Sequence, residues 1–310
     1  MTTRLHTLLL CLALALLLPG CEKIEGPIFH AMNDYENSRA GLTAATVQVD
    51  DIAWSYLKNE WKDGQETVVL LHGFTADKSN WVRFAGAFGS GYNIVIPDLP
   101  GHGETTHDIK LAYDIDTQAR RVLSMMDTLG VHKFHIAGNS MGGAIAARAA
   151  WLAPANILSL GLFDAAGAHM QDSEFDAQLA EGNNPLIVKN PGDMATVMEW
   201  ATAQPPFLPW PVLSVLERTA IERAELHEKI FKDLRRDNSI DQTAILPEVI
   251  ARTLVLWGDQ DRLLHVANAD LFVTTMPNAK KVIMPGIGHV PMVEAPEESA
   301  KIYRDFLAGY

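Results

Sequence analysis

The chain has 310 residues, enough to bury a full core in one large domain or in a domain that carries an insertion. Hydrophobic residues make up 48% of it, which argues against disorder over long stretches. A formal net charge of −13 argues against a nucleic-acid partner, because phosphate binding needs a basic face. It leaves a membrane open as a partner, since an apolar anchor needs no charge.

Residues 1–20 read as a signal peptide for export: Arg4 near the start, an apolar run over 8–18, then Pro19-Gly20 as a small-residue exit. The run is shorter than the about 20 apolar residues that a membrane span takes. The stretch Leu18-Pro19-Gly20-Cys21 resembles the lipobox of bacterial lipoproteins. That resemblance implies lipidation of Cys21 after cleavage, and a protein anchored to a membrane facing the periplasm or cell exterior; without the lipid it would be secreted. The second cysteine, Cys11, lies inside the leader, so no disulfide is expected. Residues 21–43 are mixed and polar without a sustained period and are expected to form a membrane-proximal tether. Within them Ile28, Phe29 and Met32 have two readings, as side chains that dip into a bilayer surface or that pack on the domain.

Two β-like runs, 45–49 and 52–57, meet at Asp50-Asp51 and predict an edge hairpin. Thr67-Val68-Val69-Leu70-Leu71 is continuously apolar, the pattern of a strand buried on both faces, and ends at His72-Gly73-Phe74. A helix is expected over 78–88 and a second buried strand over 93–96, which ends at Asp98-Leu99-Pro100-Gly101-His102-Gly103-Glu104. Helical spacing at Ala119, Val122, Leu123, Met126 and Leu129 closes at Gly130. Strands follow over 133–137 and 158–163. From 167 to 246 strand character vanishes, and helical stretches alternate with prolines. Strands return over 253–257 and 281–284, with helices over 266–275 and 297–307. Strands alternating with helices on either side of a helical insertion predict an α/β fold with a mostly parallel sheet covered on both faces. The core is then 44–166 with 247–310, and 167–246 forms a cap. Such sheets bind ligands beyond the C-terminal ends of their strands, and every motif singled out below follows a strand.

Gly138-Asn139-Ser140-Met141-Gly142-Gly143 lies between a strand and a helix-forming alanine run, the pattern of a nucleophile elbow. A serine hydroxyl is a weak nucleophile at neutral pH and needs a base. Of the 11 histidines, His289 in Gly286-Ile287-Gly288-His289 is the best placed, directly after the last strand. The base needs an acid to fix its tautomer. Trp257-Gly258-Asp259-Gln260-Asp261 offers two; Asp261 is preferred, Asp259 suits a turn-stabilising role, and Asp164 at another strand end remains an alternative. Charge developing on a substrate oxygen needs preorganised donors, for which the backbone N–H groups of Met141 and Phe74 are the candidates. No histidine pair has metal-ligand spacing with supporting thiols or carboxylates, so no metal and no other cofactor is expected.

These motifs together resemble the α/β-hydrolase family over almost everything after residue 44. Within it, His72-Gly73-Phe74-Thr75-Ala76-Asp77-Lys78-Ser79-Asn80-Trp81 resembles secreted and lipoprotein-like lipases, esterases and phospholipases of Gram-negative bacteria. The resemblance implies a triad of Ser140, Asp261 and His289 that hydrolyses carboxylic esters of fatty acids through an acyl-enzyme. It also implies that the 167–246 segment acts as a lid, with Met194, Met198, Trp200, Phe207 and Trp210 as candidate substrate-binding residues. Carbon–carbon bond hydrolases and acyltransferases use a similar elbow, and a lipid-binding lipoprotein without turnover is a further alternative. An aspartate nucleophile, as in dehalogenases and epoxide hydrolases of this fold, is disfavoured by Ser140.

Overall fold

The computed structural model describes residues 22–309; the leader and Cys21 lie outside them. A single eight-stranded sheet organises the chain, built from β1 (Thr43–Val49), β2 (Ile52–Lys58), β3 (Thr67–Leu71), β4 (Asn93–Pro97), β5 (Phe134–Asn139), β6 (Ile157–Phe163), β7 (Thr253–Gly258) and β8 (Ala279–Met284). Their order is β1-β2-β4-β3-β5-β6-β7-β8. The expected edge hairpin is present: β1 and β2 pair antiparallel, turning at Asp50, and β2 pairs antiparallel with β4. Every other pairing is parallel. A parallel strand needs a crossover, and the intervening helices supply it.

The parallel strands are buried on both faces, and their side chains alternate between two cores. In β3, Val69 and Leu71 join one cluster and Val68 and Leu70 the other. In β7, Val255 and Trp257 face the first and Leu254 and Leu256 the second. The first core is covered by α3 (Ile115–Thr128) and α4 (Met141–Leu152). The alanines of α4 let that helix lie close on the sheet. The second is aromatic, with Trp81, Phe84, Phe88, Phe163 and Tyr303 in edge and stacked contact. It is supplied by the turn Lys78–Trp81 with α2 (Val82–Phe88) and, from the far end of the chain, by α11 (Pro296–Leu307), which follows α9 (Asn268–Thr275) and α10 (Pro291–Glu294). Each side chain fully removed from water in this way contributes about 1.5–3 kcal/mol.

Register fixes where loops emerge. Leu71 pairs with Gly138, Asn139 with Phe163, Phe163 with Leu256, and Gly258 with Met284. The C-terminal ends of five strands therefore lie side by side. Between β6 and β7 come α5 (Glu174–Ala180), α6 (Asp193–Ala201), α7 (Val212–Glu222) and α8 (Ala224–Arg235), without a strand. The base of this insertion is tied where the Gln242 amide N–H donates to Gly167 O at 2.8 Å.

Within the expected tether the chain forms a helix, α1 (Glu22–Arg39), with Pro27 inside it. Its own apolar spacing is weak, which is why the sequence period did not reveal it. Tertiary docking supplies the missing stability. Glu25 is buried and receives Arg218 Nη1 of α7 at 2.8 Å. The bound guanidinium holds its carboxyl below the usual carboxylate range. Ile28, Phe29 and Met32 are half-buried on this helix.

Candidate active site

At the end of β5 the chain reverses into α4 within one residue. Ser140 takes φ 53° and ψ −121°, a conformation that side chains other than glycine rarely adopt, and its backbone is held by donation from Ser140 N–H to Phe163 O at 3.1 Å. The flanking glycines are required sterically. A Cβ on Gly138 would stand 2.1 Å from Gly142 O, and one on Gly142 2.5 Å from both Leu71 O and His72 O.

Asp261 and His289 meet at the ends of neighbouring strands, after β7 and β8. The His289 Nδ1–H donates to Asp261 Oδ2 at 2.7 Å, and both side chains are buried. The other oxygen of Asp261 accepts from Leu263 N–H at 2.8 Å and Leu264 N–H at 3.0 Å, so the carboxylate is fixed in place. With Nδ1 committed as donor, Nε2 of His289 carries the lone pair. Asn139, next to the serine, donates from Nδ2 to His289 O at 2.9 Å and Phe163 O at 3.1 Å, and so joins the β5 end to the histidine loop. Asp259 is exposed, and its Oδ1 accepts from Gly286 N–H at 2.7 Å, which stitches one turn to the next. Asp164 follows β6, and its Oδ1 accepts from Gly258 N–H at 2.8 Å. Donor atoms of Asp164, Asp261 and His289 all lie within 4.8 Å of one another, a spacing a metal ion also uses. Here, however, Asp261 is already engaged by two amides and the imidazole.

Gly73 lies against the elbow, its missing Cβ 3.2 Å from Ser140 Cβ, which brings the Phe74 amide beside the serine. Met141 opens α4. Among the described residues neither of these N–H groups is taken up by a protein acceptor. The β3 loop is braced from behind. His72 is buried and donates from Nδ1 to Gly73 O at 2.8 Å, while its Nε2 accepts from Leu99 N–H at 2.9 Å. Burial keeps this imidazole neutral by lowering its pKa.

The sequence-predicted residues divide into two sets. Ser140, Asp261, His289, Phe74 and Met141 come together at the strand ends. The five cap residues do not form one lining. Met194, Met198 and Trp200 are half-buried on α6, with Trp200 under the Arg262 guanidinium at 4.3 Å. Trp210 adjoins Glu25 of α1, and Phe207 is 89% exposed. Against Phe74 stand residues that sequence reasoning passed over: His102 at 6.2 Å between ring centroids, His227 at 6.0 Å and Phe231 at 5.6 Å. A signal for the last two was present, since His227, Ile230, Phe231 and Leu234 share one helical face. His102 Nε2 and His227 Nδ1 are buried without a partner among the described residues. Burial and the nearby Arg223 charge push His227 down to about 4, and burial, with His72 and His227 alongside, holds His102 well below the usual histidine range.

The model of the Alpha/beta hydrolase family matches residues 68–302. The chain belongs to that family. It is 35% identical to Lipase 1 of Psychrobacter immobilis over 245 residues, 78% of this chain and 76% of that protein. To Lipase 3 of Moraxella sp. (strain TA144) it is 33% identical over 280 residues, 89% of this chain and 88% of the relative. Among solved structures it is similar to a membrane phospholipase A, described as a bacterial virulence factor, with a TM-score of 0.90 and 38% identity over 100% of this chain and 99% of the other.

Proposed function

We propose that this hydrolase cleaves carboxylic esters of fatty acids by way of a covalent acyl-enzyme on Ser140. The observation that carries the reading is the buried 2.7 Å contact between His289 Nδ1 and Asp261, in a loop bonded through His289 O to Asn139, the residue before a strained elbow serine. In this mechanism His289 Nε2 takes the Ser140 proton as the hydroxyl attacks the ester carbonyl, and Asp261 stabilises the imidazolium. The Phe74 and Met141 N–H groups receive the oxyanion. The proton passes to the departing alcohol; water, activated by the same histidine, then releases the fatty acid and restores the serine.

The similarity to two lipases above 30% identity and to a phospholipase A supports lipid esters as the substrate class. The 167–246 segment serves as the lid. Its helix α6 reaches the histidine loop, since His289 N–H donates to Ala201 O at 3.0 Å, and α8 reaches Phe74. Each methylene of an acyl chain buried beneath it contributes about 0.8 kcal/mol to binding. Anchoring to a membrane, facing the periplasm or cell exterior, is supported by the leader, the lipobox-like Cys21 and the likeness to a membrane phospholipase. No helix among the described residues is long and apolar enough to cross a membrane.

The deciding experiment is Ser140→Ala assayed on chromogenic acyl esters, with a fluorophosphonate probe on the parent protein. Turnover should vanish in the variant, and the probe should label the parent alone. Turnover that survives the substitution refutes the mechanism.

A further inference from the structure

The mechanism above gives Asp164 no task, yet it is fully buried and its backbone sits at φ +42°, in the left-handed region. Its turn is bonded to the elbow on both sides: Ser140 N–H donates to Phe163 O, and Ala166 N–H donates to Ser140 O at 3.0 Å. One carboxyl oxygen accepts from Gly258 N–H. The other, Oδ2, is buried and has no hydrogen-bond partner among the described residues. An oxygen of this carboxyl group lies within 4.8 Å of one on Asp261. Two buried carboxyl groups this close do not both carry a charge, so one of them holds a proton.

Which of them holds the proton follows from the donors around each. Asp261 receives two backbone amides and the His289 Nδ1–H, whereas Asp164 receives one amide. Hydrogen bonds to a charged carboxylate favour the charge, so the negative charge resides on Asp261. Burial, and then the Asp261 charge, keep the Asp164 carboxyl well above the usual carboxylate range. The titratable groups that face it are Asp261 from the loop after β7, His289 from the loop after β8 and Glu294 from α10.

We propose that Asp164 is a second acid of this site. As a neutral acid it donates through Oδ2–H to the Asp261 carboxylate and steadies it against His289. Where the Asp261 side chain is lost, Asp164 releases that proton to water and, as a carboxylate, accepts from His289 Nδ1–H in its place. The distances allow the exchange, since the three groups lie within 4.8 Å. The proposal rests on the serine-hydrolase reading above. In the parent enzyme Asp164 is a positioning residue, acting through Asp261.

The test compares Asp261→Ala with Asp261→Ala/Asp164→Asn on a short soluble ester, with kcat and KM followed across the pH range in which a histidine base titrates. The single variant should lose on the order of a hundredfold in kcat, and the double roughly the 10⁴-fold that follows when a triad histidine has no working acid. The acidic limb of the single variant should be displaced from the parent's, because protonation of Asp164 now switches the site off, and the double variant should lack that displacement. In a second pair, Asp164→Leu should lower kcat by about tenfold or more at unchanged KM, the equivalent of one hydrogen bond to a charge, and Asp164→Asn should recover most of it through its amide donor. An Asp261→Ala enzyme as slow as the double variant, with both proteins folded by thermal melting, overturns the proposal. If Asp261→Ala does not fold, equal kcat in Asp164→Leu and Asp164→Asn overturns it. Either failure leaves the Ser140 assignment standing, because that is read by the Ser140→Ala assay.

Discussion

Gly142→Ala is a one-methyl change whose cost follows directly from the geometry. The new Cβ would stand 2.5 Å from Leu71 O, 2.5 Å from His72 O and 2.9 Å from Leu71 C, all backbone atoms at the end of β3. An ordinary contact begins near 3.4 Å, so the elbow and the β3 end must part by about 0.9 Å. No side-chain rotation relieves the clash. Overpacking of this kind costs about 1–3 kcal/mol of stability. The functional cost is larger, because the two proposed oxyanion donors sit on opposite sides of the contact: Met141 N–H moves with α4, and Phe74 N–H moves with the β3 loop. A misplacement of about 1 Å is worth on the order of a hundredfold in rate. We therefore expect kcat/KM on a soluble ester to fall at least about a hundredfold while the protein still melts cooperatively at a lowered temperature. The assay pairs steady-state kinetics with thermal melting and fluorophosphonate labelling of Ser140. A folded Gly142→Ala enzyme with parental kcat/KM would show that the glycine is not what brings the two donors together.

Acid should destabilise the fold through its buried histidines. His227 is pushed from 6.5 down to about 4, so its neutral form contributes stability that is complete above pH 6.5 and is lost as pH falls toward 4, on the order of 3 kcal/mol. His72 and His102 shift in the same direction. Urea melts at the two ends of this window should differ less in His227→Phe than in the parent, and an unchanged pH dependence would count against the assignment. Glu25→Ala should free α1 from α7 at a cost of about 1–3 kcal/mol, between an exposed and a buried ion pair. Amide exchange should speed up over α1 while β5 and β7 stay protected; uniform protection in the variant would mean that Arg218 is not what docks the helix.

The proposed catalytic arrangement is legible because each of its parts depends on a local rule. A serine between glycines, an aspartate three residues beyond a strand-ending Gly258, and His289 after the last strand are spaced by turn geometry, which short stretches of sequence express. The strands were legible for a similar reason, since burial on both faces leaves unbroken apolar runs such as Thr67–Leu71. The partners of the cap helices, and α1 itself, were not, because these helices are held by distant contacts. Trp210, a candidate lining residue, adjoins Glu25, a residue far away in the chain, while His227, which no sequence motif singled out, packs on Phe74. Aromatic and methionine side chains in an insertion announce burial without saying against what. Asp164 shows the same limit at closer range. Its strand-end position marked it as an acid, but whether it carries a charge depends on Asp261, which follows the next strand, far on in sequence and within 4.8 Å in space.

The histidine loop joins the core to the insertion, and this bears on how the enzyme would sense its substrate. Glu294 Oε2 accepts from Ala203 N–H at 2.8 Å and Gln204 N–H at 3.2 Å, just past α6, while its Oε1 accepts from Gly288 N–H at 2.8 Å. His289 N–H donates to Ala201 O in the same place. The residue preceding the proposed base and the exit of the cap helix are thus clamped by one carboxylate, and a Cβ on Gly288 would meet Ala203 N at 2.6 Å. Further along the segment, Arg218 of α7 bonds Glu25 of α1. A cap tied to the histidine loop at the exit of α6 and to α1 through α7 is not an independent flap. In the proposed lid role, opening would bend the segment between these ties, through the proline-rich stretch 205–211 that carries exposed Phe207. Proline restricts the conformations available to such a hinge, and the bend would leave Ala201 and His289 together. Substrate entry and the proposed catalytic geometry would then be separable, the cap admitting an acyl chain without loosening the contact between His289 and Asp261.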